Sequence, residues 1–191
     1  MQYTTNQLQK GLKVEIDGIP YRIIHTEPFS PGKGQAFTRL KLKNMLNQSV
    51  VERRITSGHK LNRAQTEERE MQYLYRDSTD YYFIDNTSYE QINLKEDQLE
   101  KEKGFLQSNI QVRITYFNGK PIGIELPNFV VLKISQTEPS VRGDTVSGSY
   151  KTAELETGIN ISVPFHIKIG DLIKVDTRNC TYVEKVNPET S

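Results

Sequence analysis

The chain has 191 residues, of which 35% are hydrophobic and 26% charged, with 10 Tyr, 7 Phe, no Trp and a single Cys. That is the composition of a folded, aromatic-rich chain, and it excludes disorder, collagen and coiled coil. The net charge of +1 hides an asymmetry: residues 1–64 carry 11 basic against 4 acidic side chains, residues 65–128 carry 7 against 12, and residues 129–191 carry 7 against 8.

Leu12, Val14 and Ile16 alternate with Lys13 and Glu15, the period of a half-buried strand, and Asp17-Gly18 is a hairpin turn into Tyr21 to Ile24. A second alternating run starts at Phe37 and continues through Leu40 and Leu42, with Arg39, Lys41 and Lys43 opposite, and a third strand spans Val50 to Ile55. This predicts a small β-barrel. Ser57 to Lys60 and the polar run Asn62 to Glu70 mark its end, which sets a first domain of residues 1–64.

From Met71 the pattern resumes through Tyr73 and Tyr75, turns at Arg76 to Asp80 and returns through Tyr81 to Asp85, an aromatic hairpin. Leu94, Leu99 and Leu106, spaced among charged residues, predict one short surface helix over 94–106. Strand character returns at Ile110, Val112 and Ile114, turns at Asn118-Gly119 and runs through Ile122 and Ile124, completing a second domain of residues 65–128. A third, residues 129–191, opens with Phe129 to Ile134, continues with a loop from Glu138 to Tyr150, and has strands near 159–163, 165–169, 172–176 and 182–186. The class is all-β: an N-terminal barrel followed by two units the size of OB-like five-stranded barrels, without a residue-level repeat between them.

Several chemistries are missing. His25, His59 and His166 are far apart in sequence and none lies beside Cys180, so no zinc spacing exists. The glutamates from Glu96 to Glu102 read as a solvated face, and Gly32-Lys33 is followed by Gly34, not by the Ser or Thr of a phosphate loop. No metal, cofactor or catalytic group is expected. The longest strongly apolar run, Phe129 to Leu132, is far below the ~18–20 residues of a membrane span. Met1 to Ile16 does not read as a secretory leader, and one Cys closes no internal disulfide, so the expected location is the cytoplasm.

The informative segment is Ser30 to Gln35. Pro31 fixes φ, Gly32 and Gly34 permit positive φ, and Lys33 between them has nothing to pack against, so it projects from a hairpin tip. Behind it, Arg39, Lys41 and Lys43 form a basic stripe; from the residues alone the tip and stripe read either as an ordinary turn with a solvated face or as a surface suited to RNA-backbone phosphates.

The run Pro31 to Phe37 followed by Lys43-Asn44 resembles the tip of bacterial elongation factor P. The resemblance covers nearly the whole chain: Gly11-Leu12-Lys13 with Asp17-Gly18, Met71 to Tyr75, Asn118-Gly119 to Val130, Gly143-Asp144-Thr145, Thr157-Gly158 with Val163-Pro164, and Ile173 to Arg178, in that order. It implies an L-shaped mimic of transfer RNA made of a KOW/SH3-like barrel and two OB-like barrels. Such a factor binds both ribosomal subunits beside the peptidyl-site transfer RNA and relieves stalling at consecutive prolines. By the same resemblance Lys33 is extended by a ligase akin to lysyl-transfer-RNA synthetase, and Pro31, Gly32, Lys33 and Gly34 face the CCA end. Gly143, Asp144 and Thr145 lie near exit-site messenger RNA, while Arg178, Tyr182 and Lys185 contact ribosome or transfer RNA, and the protein acts as a monomer. The chain departs from the family at Ser30, at Ser149-Tyr150 and at Lys185. The alternatives are an elongation-factor-P-like paralogue and a generic β-barrel RNA-binding protein.

Overall fold

The computed structural model describes residues 1–138 and 150–187. They form three antiparallel sheets in series, each wrapped around its own core. No helix among the described residues is long and apolar enough to cross a membrane.

The first sheet contains β1 (Gln2–Thr4), β2 (Lys13–Ile16), β3 (Ile19–Phe29), β4 (Phe37–Asn44), β5 (Val50–Thr56) and β6 (Lys60–Arg63), in the order β1-β6-β2-β3-β4-β5. Alternation does the work: Val14, Tyr21, Ile23, Leu40 and Leu42 turn inward and bury completely or nearly so. Asp17 and Gly18 both take positive φ, 53° and 77°, the turn that matches the twist of its flanking strands. One assignment changes: Phe37 shares the outward face of β4 with Arg39, and Thr38 is the residue that buries in the first inward position.

The polar run Asn62 to Glu70 is mostly strand. It closes β6 and, after Ala64-Gln65, begins β7 (Thr66–Asp77), whose first half pairs residue by residue with β10 (Gln111–Phe117). Backbone pairing and cross-strand charges hold this segment where side-chain hydrophobicity does not: Arg69 bridges Glu67 and Glu90, Arg113 bridges Glu68 and Glu125, and Arg69 lies over the Tyr116 ring. The rest of the second sheet is β8 (Asp80–Ile84), β9 (Gln91–Lys95) and β11 (Lys120–Glu125), in the order β11-β10-β7-β8-β9.

The surface helix expected over 94–106 is absent. Leu94 ends β9, Glu96–Gln98 and Glu102–Phe105 form two short 3-10 turns, and Leu94, Leu99 and Leu106 all bury in the second core. Their spacing fits no helical stripe because each is delivered inward by a different local structure. The glutamates among them do lie outward, and Glu96 pairs with Lys103 at 2.7 Å.

The third sheet is β12 (Phe129–Thr137), β13 (Tyr150–Leu155), β14 (Asn160–Pro164), β15 (Leu172–Asp176) and β16 (Thr181–Val186), in the order β14-β13-β12-β15-β16. Two readings of the sequence fail here. Tyr150 to Leu155 is a strand, with Lys151, Ala153 and Leu155 inward, whereas Phe165 to Ile169 is a pair of turns that sinks only Ile167 into the core. A lysine at an inward position disguised β13; its Nζ donates to the Glu138 carbonyl at 2.8 Å. The second and third sheets share one topology, with the unit's first strand central, its second and third strands on one side and its fourth and fifth on the other. The repeat absent from the residues is present in the strand order, which is set by hairpin connections and not by side-chain identity. In each unit a long strand shifts register once, at Ile23/His25, Tyr73/Tyr75 and Ile134/Gln136, which lets it coil around a small core.

Candidate nucleic-acid interface

β3 and β4 pair out to Phe29 and Phe37, whose rings lie 5.1 Å apart, with the Arg54 guanidinium 5.4 Å from the Phe37 ring centre. This aromatic and cationic root supports the loop Ser30 to Ala36, and the Ala36 carbonyl accepts the Ser57 N–H at 2.9 Å. Of the two glycines at the tip only Gly34 requires its lack of a side chain, with φ at +109°, whereas Gly32 has open space and no positive φ. Lys33 between them is exposed and has no hydrogen-bond or ion-pair partner among the described residues.

The cations along β4 are partly offset by neighbouring carboxylates. Arg39 pairs with Glu27 at 3.3 Å and Lys41 with Glu52 at 3.9 Å, both well exposed, so each pair is worth ~0–1 kcal/mol and exchanges readily for a phosphate. Lys43, on the same face of β4, has other surroundings: with Arg22 and Met45 it lines a cleft against Thr115, Ile122 and Gly123 of the second unit. Two arginines belong to this surface that the stripe omitted. Arg53 and Arg54 of β5 border the same shallow hollow as Arg39, and Arg54 sits directly across from Arg39 in register. Extending the period-2 reading of β4 to its neighbour would have found Arg54.

The first and second units meet through a small apolar cluster, Met45, Ala64, Phe117 and Ile122, and through Lys13, whose Nζ reaches Glu68 at 2.7 Å. The hydrogen bond and charge of Lys13 hold the Glu68 carboxyl below its ordinary value against the opposing effect of burial.

The three residues assigned in the last unit have different surroundings. Arg178 lies on the outer face, its guanidinium chelating Asp176 and holding that carboxyl below its ordinary value. Tyr182 packs against the core. Lys185 pairs with Asp171 at 2.8 Å; burial pushes the Asp171 carboxyl upward, but the Lys185 and backbone Lys168 hydrogen bonds prevail and leave it lowered. Gly143, Asp144, Thr145 and Ser149 lie outside the described residues.

No group of His, Cys, Asp and Glu among the described residues could hold a metal ion, and burial raises the Cys180 thiol. The arrangement offers an exposed primary amine on a tip, cations behind it and three small β cores as scaffold. The solved translation initiation factor 5A from Methanococcus jannaschii shares the fold, with a TM-score of 0.54 and 23% identity over 66% of this chain and 94% of that one. The class that the fold defines is an all-β chain of small barrel units in series. The elongation factor P KOW-like domain family matches residues 4–61, its OB domain family residues 66–124, and its C-terminal domain family residues 130–185. Elongation factor P of Nitratidesulfovibrio vulgaris is 49% identical over 95% of this chain and 98% of its own, that of Moorella thermoacetica 46% over 95% and 98%, and that of Natranaerobius thermophilus 47% over 97% and 99%. The chain belongs to the elongation factor P family, a family of translation elongation factors.

Proposed function

We propose that this protein binds the ribosome next to the peptidyl-site transfer RNA and speeds peptide-bond formation at consecutive prolines, with Lys33 as the group that meets the CCA end. The observation that carries the reading is the state of Lys33: exposed, without a hydrogen-bond or ion-pair partner among the described residues, and held at the end of the β3–β4 hairpin, which β5 flanks out to Phe37. A lysine with no structural task is free for an external one.

Proline is a constrained secondary amine that attacks slowly, so holding the peptidyl transfer RNA in reactive geometry accelerates transfer without any acid or base from the factor. The protein is on this reading not an enzyme and needs no cofactor. A primary amine at Lys33 extended by a ligase resembling lysyl-transfer-RNA synthetase gains reach and further donors toward the CCA backbone. Arg39, Lys41 and Lys43 serve RNA phosphates, and Arg178, Tyr182 and Lys185 serve ribosome or transfer RNA. Gly143, Asp144 and Thr145 approach exit-site messenger RNA. The protein works in the cytoplasm as a monomer, with domains 1–64, 65–128 and 129–191.

The test is translation of a consecutive-proline reporter in cells lacking their own factor, with co-sedimentation on ribosomes. Restored reporter output together with ribosome binding is expected. Binding to ribosomes without rescue would favour the paralogue, and equal binding to any RNA a generic binder. Asp144→Ala is expected to lower rescue while leaving the unfolding midpoint in place, and full rescue by that variant would remove the messenger-RNA role. Intact mass of protein from its native cell locates any addition at Lys33.

A further inference from the structure

Arg178 is fixed before any ligand arrives. Its Nε and Nη2 donate to Oδ1 and Oδ2 of Asp176 at 3.0 and 2.6 Å, and its backbone N–H donates to Oδ1 at 3.0 Å. The guanidinium also lies over the ring of Phe129, 5.6 Å from its centre, and Phe129 stands directly across from Asp176 in the β12–β15 register. Thr177 ties the preceding turn to the same place, its Oγ1 donating to the Pro127 carbonyl at 2.6 Å and its N–H to the Asn128 carbonyl at 2.9 Å. Asp176 is nonetheless only 11% exposed while Arg178 is 62% exposed. The carboxylate holds one edge of the guanidinium and the Phe129 ring, which Lys174 Nζ also approaches at 5.2 Å, lies beside it, while the Arg178 side chain stays 62% exposed.

This geometry determines what Arg178 can offer. An arginine that grips phosphate uses the fork that Asp176 already fills, and its charge is already offset by that carboxylate. What remains is a flat, immobilised plane, the feature that stacks on an unpaired base. Beside it runs a groove of roughly 340 Å³ where the three units meet, with Arg22 of β3, Lys101 and Arg178 on its walls. Glu102 and Glu125 share those walls, so the groove is no general trough for polyanions.

We propose that Arg178, positioned by Asp176 and backed by Phe129, stacks on one unpaired nucleobase of ribosomal or transfer RNA, with Arg22 and Lys101 facing the adjoining phosphate. The inference rests on the ribosome-binding reading above and adds the mode of contact, for which Asp176 and Phe129 are positioning residues.

The experiment compares wild type with Arg178→Lys, Asp176→Asn and Phe129→Leu in binding to purified ribosomes across a salt series, with base-specific chemical probing of the RNA. Unchanged unfolding of Arg178→Lys confirms an intact fold, as expected for so exposed a side chain. Lysine keeps the charge and loses the plane, so Arg178→Lys should weaken binding about tenfold, expose one unpaired base that wild type protects, and leave the salt slope unchanged. Asp176→Asn and Phe129→Leu should give smaller losses at that same base. If Arg178→Lys binds and protects as wild type does, the stacking contact is wrong. If it binds more weakly with no base newly exposed, the surface meets protein and the inference is overturned. If wild type itself does not pellet with ribosomes, the functional reading falls and takes this inference with it.

Discussion

Two short glycine-containing connections in this molecule are built to opposite ends. The tip Ser30 to Ala36 leaves Lys33 without a partner among the described residues and Gly32 with open space around it. The connection Glu102 to Leu106 is instead pulled between two cores: Phe105 is buried in the core of the third unit, while its neighbour Leu106 is buried in that of the second. Ile110 and Leu126 pack against both cores, and Gln107 Nε2 donates to the Val131 carbonyl at 3.0 Å. The second and third units are therefore welded by side chains crossing from one into the other. The first unit joins by a thinner contact, the Met45 cluster and the Lys13–Glu68 pair. Stability is concentrated at the weld and absent from the tip, so substitutions at the two places should separate folding from function.

The largest effect is expected at Phe105. Truncating a buried phenylalanine costs ~3–5 kcal/mol, and here the cavity opens in the third core while the cause lies in the second unit's chain. Phe105→Ala should lower the denaturant midpoint and split the unfolding of residues 66–186 into two transitions. A loss below about 0.5 kcal/mol with a single transition would show that the two cores do not depend on this side chain. Gly104→Ala comes next. A Cβ there would lie 2.5 Å from Ile159 Cγ2, on a branched side chain that cannot simply swing away, so overpacking of ~1–3 kcal/mol is expected. Pairing it with Ile159→Ala should recover part of that loss, and no recovery would remove the clash as its cause.

The contrast between weld and tip also explains what the sequence could reveal. The tip was legible because it is local: Pro, two Gly and a Lys between alternating strands state their own geometry, and the hairpin turns at Asp17-Gly18 and Asn118-Gly119 are equally self-contained. Phe105 and Leu106 are adjacent residues sent to different cores, which no periodicity encodes, and this is why 94–106 read as a helix. The strand from Tyr150 to Leu155 was lost because Lys151 occupies an inward position. The resemblance marks Arg178 only as an expected contact, whereas its setting beside Asp176 and Phe129 needs the β12–β15 register that brings Phe129 opposite Asp176. Family motifs carry residue identity across such gaps, and three-dimensional pairing supplies their orientation.

A smaller effect tests the thinner joint. Glu68, Asp171 and Asp176 all have folded carboxyl values below their ordinary ones, so their stabilisation is present above the unfolded carboxylate range of ~4 and is lost as pH falls through the lower folded values. Denaturant midpoints should hold from about pH 7 to about pH 5 and decline below about pH 4. Glu68→Gln should be slightly less stable than wild type at neutral pH, with the two curves meeting in acid, because the Lys13–Glu68 pair is then absent from both. At 36% side-chain exposure of Glu68 the pair is screened, so the difference is small. Curves that stay parallel through the acid range would assign the lost stability to something other than this carboxylate.

The smallest effect on folding, and the one that sharpens the comparison most, is at Lys33. Nothing in the first core touches it, so Lys33→Ala and Lys33→Arg should each leave the unfolding free energy within about ±0.5 kcal/mol of wild type. Function should respond quite differently. Arginine keeps the positive charge but has no primary amine for an acyl-transferring ligase to extend, so under the modified-lysine mechanism it behaves like alanine in a cell that carries the ligase. A mechanism resting on charge alone makes the opposite prediction, that arginine restores consecutive-proline translation and alanine does not. Reporter output and intact mass read together decide between them. Full activity from Lys33→Arg at unmodified mass would end the modified-effector mechanism while leaving ribosome binding in place, because the cations of β4 and β5 behind the tip are untouched by either substitution.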